Sequence, residues 1–175
     1  MTTSPIADAL ERVAAVLSRR PEAGLHDDAP ATARWAGGTR MIAHHANGTE
    51  LQTDMPAELG GSGDRVTPGW LFRAGIASCA ATSIALVAAA EGIDLTRLEA
   101  RVTSRSDTRG LLGLADASGR PVFAGPGDMT LQVRIAATGI EAPRLRALVE
   151  AGLARSPIPS ALPVAIPLAL QVEIV

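Results

Sequence analysis

Tyrosine is absent from this sequence, and only two phenylalanines, two tryptophans and one cysteine are present. With so little aromatic bulk, Ala, Val, Leu and Ile must fill the interior, and a hydrophobic share of 47% makes that feasible. A single cysteine excludes an internal disulfide framework and a cysteine-rich zinc site. Neither sign of charge dominates: 16 basic and 18 acidic side chains leave a formal net charge of −2. A basic stripe is therefore lacking, so neither nucleic-acid binding nor attachment to an anionic membrane is expected. The start, M-T-T-S-P-I-A-D-A-L-E-R, mixes acids and bases and lacks the continuous apolar stretch of a signal peptide. A cytoplasmic location is expected.

At 175 residues the chain is long enough to bury one sizeable core. One uncharged run stands out, from Ala74 to Ala90, and it contains Cys79. Its length is at the lower edge for crossing a membrane. Its Ala, Ser and Thr gain little from lipid, however, so the expected state is a helix buried on all sides in a protein interior. A small domain rarely surrounds such a helix completely, and a second copy of the chain is the natural cover.

Hydrophobic periodicity organises the remainder. Ser4 and Pro5 read as a cap and first helical position, followed by Ile6, Leu10, Val13 and Leu17 at helical spacing, with a stop at Pro21. Residues 1–22 thus form an amphipathic helix, and residues 22–30 a linker. Three short runs, 32–36, 39–46 and 49–54, are separated by Gly37-Gly38 and Asn47-Gly48, the signature of an antiparallel meander. Thr67-Pro68 caps the long helix, which stops near Glu91-Gly92. Leu98, Ala100 and Val102 alternate with polar residues in one strand, and Met129, Leu131, Val133 and Ile135 do so in another. A Gly/Pro loop over 116–128 lies between them. Leu145, Leu148, Val149 and Leu153 mark a helix over 141–155. Ile166, Leu168, Leu170, Val172 and Ile174 predict a closing strand of strict period two, with Pro167 placing its start at an edge. The class is α+β.

The side chains with chemical potential are few. Cys79 is either an inert core thiol or a nucleophile in a dry pocket. On a helix it shares a face with Phe72, Gly75, Ile76, Thr82, Ser83 and Leu86, an apolar surface suited to an alkyl group and equally to plain packing. Arg73 falls on another face. Arg105 and Arg109 follow on the next strand, with nothing in their spacing to aim them at the thiol. His44 and His45 are neighbours on a strand and point to opposite faces, and His26 lies in the linker, so no metal site and no cofactor are expected. Gly60–Gly63 lacks the lysine of a phosphate loop and reads as a flexible turn. Asn47-Gly48-Thr49 fits a glycosylation sequon but serves as the hairpin turn. Glu58 reads as a local cap, and Ser156 has no evident base to make it a nucleophile.

Three segments taken together resemble the OsmC/Ohr family, the osmotically inducible and organic hydroperoxide resistance proteins: P-A-E-L-G-G-S-G (Pro56–Gly63), T-P-G-W-L-F-R-A-G-I-A-S-C (Thr67–Cys79) and S-P-I-P-S-A-L (Ser156–Leu162). The element order agrees, and D-T-R-G-L-L-G (Asp107–Gly113) is similar to a segment of one branch. The resemblance covers residues 32–175 and implies antiparallel sheets around a long buried central helix in an intertwined homodimer. It also implies that Cys79 is the peroxidatic cysteine, whose thiolate attacks a hydroperoxide to give a sulfenic acid and an alcohol. Burial penalises a thiolate, so a cation must hold it. The resemblance gives that task to an arginine of the early hairpin, for which Arg40 is the nearest match and Arg34 the second.

Two matches fail. Gly69 stands where the family has a glutamate that orients the arginine, and Ser156 stands where it has the resolving cysteine. The two-cysteine cycle is thereby excluded, and what is expected is a one-cysteine peroxidase recycled by an external thiol or dithiol. A homodimer that binds an apolar ligand, with Cys79 filling space, and a redox sensor forming mixed disulfides are the alternatives.

Overall fold

The computed structural model describes residues 5–164 and 166–174. The chain divides into two compact units, Met1–Gly75 and Ile76–Val175.

The first unit opens with helix α1 (Pro5–Arg19), which closes just before Pro21, as its sequence predicts; the Ser4 cap lies outside the described residues. Ala7 is the buried residue of α1, whereas Ile6 and Val13 are about half exposed. Strands β1 (Thr32–Trp35), β2 (Met41–His44) and β3 (Glu50–Thr53) form the expected antiparallel meander. Its registers run from Thr32 opposite His44 to Trp35 opposite Met41, and from Met41 opposite Thr53 to His44 opposite Glu50. The second hairpin is not the two-residue turn that Asn47-Gly48 suggests. His45 through Gly48 make the turn, closed by the Gly48 N–H on the His45 carbonyl, and Gly48 takes the left-handed conformation that glycine adopts without strain.

Helix α2 spans Pro68–Ala90. Thr67 caps it, its hydroxyl accepting the Trp70 N–H at 3.2 Å, with proline at the first helical position. It ends in a left-handed Gly92, where the Ile93 N–H bonds back to the Ala88 carbonyl. Among the described residues it is the one helix long and apolar enough to cross a membrane. Its burial is nonetheless one-sided. Ile76, Ala80, Ser83, Ile84, Val87 and Ala88 are buried, while Ser78, Thr82, Leu86 and Ala90, four residues apart, form an exposed stripe. Within the single chain the other elements thus cover one face of α2 only.

The second unit holds β4 (Leu95–Arg105) and β5 (Gly127–Ala137), paired antiparallel with Leu98 opposite Ile135 and Val102 opposite Leu131. The residues predicted to face inward do so: along both strands the half-buried positions alternate with exposed ones. A short helix α3 (Thr108–Leu111) follows β4, capped by the Asp107 carboxylate, which accepts the Arg109 N–H. Helix α4 (Ala142–Ala154) packs Leu148 against Val87 and Ala88 to form the core, with Ile93, Leu95, Ile135 and Ala151 around it. Gly152 explains how closely α4 approaches α2. A Cβ placed there would lie 2.6 Å from Ile84 Cγ1 and 2.7 Å from its Cα, so any side chain would force the helices apart. Helix α5 (Pro157–Ala161) comes next.

The predicted closing strand is not formed. Residues 166–174 carry no strand, and Leu168 and Ile174 are 96% and 93% exposed. A strand exists only when another strand takes up its N–H and C=O groups, and none is paired to this segment.

Candidate active site

The first unit builds a charged cluster around Arg40, the first residue of chain after the Gly37–Thr39 turn and directly before β2. The Arg40 guanidinium Nη2 lies 3.1 Å from Asp54 Oδ2, 2.5 Å from Asp64 Oδ1 and 2.7 Å from Ser62 Oγ. Asp54, just past β3, is the centre of the cluster and is only 3% exposed. Beyond Arg40, its carboxylate accepts from the Thr39 hydroxyl at 2.6 Å, the Ser62 hydroxyl at 2.6 Å, the Ser62 N–H at 3.2 Å and the Met55 N–H at 2.8 Å. The Ser62 hydroxyl also meets Asp64. Hydrogen bonds from Ser62 first and Thr39 next hold the Asp54 carboxyl far below the usual carboxylate range. Asp64 is lowered for the same first reason, its contact with Ser62, and Arg40 is raised chiefly by its bond to Asp54.

The carboxylates beside Arg40 are Asp54, just past β3, and Asp64 in the following loop, and neither stands at position 69, at the start of α2. The glycine-rich loop corrects an expectation: it is not a flexible turn. A Cβ on Gly61 would fall 1.8 Å from the Met55 carbonyl oxygen and 2.9 Å from Asp54 Oδ1, so the loop is folded tightly onto Asp54 and only glycine fits. Arg34, the second choice for the thiolate's cation, instead pairs loosely with Glu50 at 3.5 Å on the exposed side of the meander.

The second unit places Cys79 in the middle of α2, half-buried and outside any disulfide. Two hydrogen-bond donors meet its sulfur: the Ser156 hydroxyl at 3.2 Å and the Ile158 N–H at 3.4 Å. Ser156 is fully buried at 0% exposure. Two of the positions that the sequence singled out, 79 and 156, are therefore side by side, although 77 residues separate them. Nearby, an apolar cleft of about 320 Å³ is lined by Ile76, Val102, Met129, Leu153, Pro159 and Leu162. Ile76 belongs to α2, about one helical turn before Cys79, and Pro159 belongs to α5, directly after Ile158.

The other flagged side chains have local duties. Arg109 makes a close ion pair with Asp107, 2.6 Å from Nη2 to Oδ2, at the head of α3. Glu58 is an exposed member of a short 3₁₀ turn, Ala57–Leu59. His26 contacts the Gly24 carbonyl and His44 approaches Glu50. Among the described residues no three His, Cys, Asp or Glu side chains converge in a way that could hold a metal ion. The sequence did not single out Asp54, Asp64 or Thr39. The only available signal was that acids flank P-A-E-L-G-G-S-G on both sides.

Among curated proteins, no sequence matches this one. Solved structures do share its fold. An OsmC-like protein from Mycoplasma pneumoniae superposes with a TM-score of 0.64 at 18% identity, over 79% of this chain and 89% of that one. An osmotic stress induced and detoxification response protein from Psychrobacter arcticus gives 0.61 at 18% identity, over 79% and 90%. The organic hydroperoxide resistance protein OsmC from Legionella pneumophila gives 0.54 at 25% identity, also over 79% and 90%. The family model for OsmC-like proteins matches residues 61–171, which include Ser62, Asp64, Cys79 and Ser156. With that match over more than half its length and an α+β fold of two antiparallel sheets and helices, the chain belongs to the OsmC-like protein family.

Proposed function

We propose that this protein is a thiol peroxidase that reduces organic hydroperoxides, alkyl or fatty-acid, through the single cysteine Cys79 and serves in the response to oxidative stress. The observation that carries the proposal is the 3.2 Å contact between Cys79 Sγ and Ser156 Oγ. It juxtaposes the position of the attacking thiol and the position where a resolving thiol would stand, inside a chain of this family. The Legionella relative, an organic hydroperoxide resistance protein, supports the substrate class. The apolar cleft beside α2 and α5 suits an alkyl chain better than hydrogen peroxide.

In the proposed reaction the Cys79 thiolate attacks the distal oxygen of the hydroperoxide. The O–O bond breaks, the alkoxide takes a proton and leaves as the alcohol, and the sulfur, oxidised by two electrons, becomes a sulfenic acid. Arg40, held by Asp54 and Asp64, is assigned the task of favouring the anionic sulfur. Ser156 cannot close a disulfide, so an external thiol condenses with the sulfenic acid and releases water. A second thiol then attacks the mixed disulfide and frees Cys79. We further propose that the protein works as a cytoplasmic homodimer. The exposed stripe of α2 and the apolar residues at 166–174 are surfaces of the kind that a second copy covers.

Steady-state consumption of tert-butyl hydroperoxide with dithiothreitol as reductant tests the proposal. Turnover is expected in the wild type and not in Cys79→Ser. The same apolar cleft favours a second reading, a non-catalytic binder of apolar ligands. Saturable binding of a fatty acid that Cys79→Ala leaves unchanged, without peroxide turnover, would establish that reading instead.

A further inference from the structure

We infer that Ser156 is a catalytic residue of the Cys79 site rather than the inert remnant of a lost resolving cysteine: with the Ile158 N–H it forms a two-donor cradle that meets the charge the Cys79 sulfur carries when it attacks. This inference rests on the proposed function for its biological meaning, but the cradle can be tested by itself.

The geometry of α5 carries the argument. Ser156 is the residue that caps this helix, with Pro157 at the first helical position. A serine there ordinarily turns its oxygen toward the helix and accepts an N–H from the first turn. Ser156 makes no such bond. Its hydroxyl is turned instead to Cys79 Sγ, at 3.2 Å, and the Ile158 N–H, which a capping oxygen would ordinarily take, reaches the same sulfur at 3.4 Å. The sulfur of α2 thus occupies the acceptor role that the cap's own side chain gives up. A helix of five residues contributes little field of its own, so the stabilisation lies in the two hydrogen bonds.

Hydrogen bonds to a charged acceptor are roughly twice as strong as those to a neutral one, so both contacts count most while the sulfur is attacking. Ser156 is fully buried, and no solvent dilutes its contact. A cysteine at this position would resolve the sulfenic acid from within the chain. The serine keeps the donor and removes the second thiol, which leaves the oxidised sulfur to an external reductant.

The test uses the full chain and two probes that do not depend on peroxide chemistry. The first is alkylation of Cys79 by iodoacetamide at neutral pH, followed by intact mass. Losing a hydrogen bond to a charged acceptor should slow Ser156→Ala about tenfold relative to wild type. A rate within about twofold of wild type would overturn the cradle. The second probe, Ser156→Cys treated with diamide, remains informative if the alanine variant does not fold. The introduced thiol and Cys79 should close a disulfide, each sulfur losing its hydrogen to the diamide. No disulfide would mean that position 156 does not face the sulfur, and the inference fails. If diamide closes the bond and one equivalent of tert-butyl hydroperoxide does not, the cradle stands and the peroxidase function falls.

Discussion

Arg40 sits among ionised partners, whereas the donors that meet Cys79 are neutral. Around Arg40, one guanidinium, two carboxylates and two hydroxyls are tied into a network whose centre, Asp54, accepts five hydrogen bonds. Around Cys79, one hydroxyl and one backbone amide meet a polarisable sulfur on an apolar helix. The first arrangement fixes a charge in place: Arg40 is the cation paired with the buried Asp54 carboxylate, which four further hydrogen bonds hold in position. The second holds a half-buried sulfur through two hydrogen bonds without any ion pair.

The comparison breaks most sharply at Arg40. Arg40→Ala should lower peroxide turnover on the order of 100-fold, the loss typical when one preorganised electrostatic partner is removed. Arg40→Lys should restore only part of it, because an ammonium is a compact, strongly hydrated point charge on a different stem and lacks the delocalised planar guanidinium. Unchanged turnover in both variants would remove Arg40 from the mechanism. In the other unit, Gly152→Ala should cost about 2 kcal/mol in urea unfolding, since its Cβ meets Ile84 at 2.6 Å. That result would show that α2 and α4 pack without slack at Ile84. A neutral result would mean that the helices have slack there.

Asp54→Asn sharpens the contrast next. It should lower the melting temperature by roughly 5 °C at neutral pH while leaving the iodoacetamide reactivity of Cys79 less affected than Ser156→Ala does. The sign of the pH dependence follows from the lowered Asp54 carboxyl. A group depressed below its unfolded value contributes stability that is complete above the unfolded pKa, near 4, and is lost as pH falls toward the folded one. The gap in melting temperature between wild type and Asp54→Asn should therefore be full at pH 6 and narrow below about pH 4. A gap that widens in acid would contradict the assignment. The smallest effect is reserved for a control. Arg144 pairs with Glu91 at 2.7 Å, but both are partly exposed, so Arg144→Ala should change stability by less than about 0.5 kcal/mol.

How far each region can be foreseen follows from how local its signals are. The central helix is legible because Ala74–Ala90 carries no charge and Thr67-Pro68 announces its start, and those local signals suffice to put Cys79 on a helix. The meander is legible from Gly37-Gly38 and Asn47-Gly48, and the β4 and β5 faces from strict alternation. Asp54 is not, because T-D-M carries no periodic signal: its importance arises only when the loop through Gly61 folds back and brings Ser62 onto it. Helix α3 is four residues long, too short to show a period. Residues 166–174 have the pattern of a strand without its pairing, since pattern is local and pairing is not. Ser156 reads as a simple loss when judged against a cysteine, because a sequence shows which atom is missing and not which hydrogen bond takes its place.

The most direct test is intact mass after brief exposure to a stoichiometric alkyl hydroperoxide, with hydrogen peroxide and Cys79→Ser in parallel and dimedone to trap any sulfenic acid. Fast, dimedone-trappable oxidation of Cys79 that prefers the alkyl substrate is the predicted result. A thiol that reacts no faster than a free cysteine, or not at all, would contradict a peroxidase and leave the cleft beside α2 and α5 as the feature to explain.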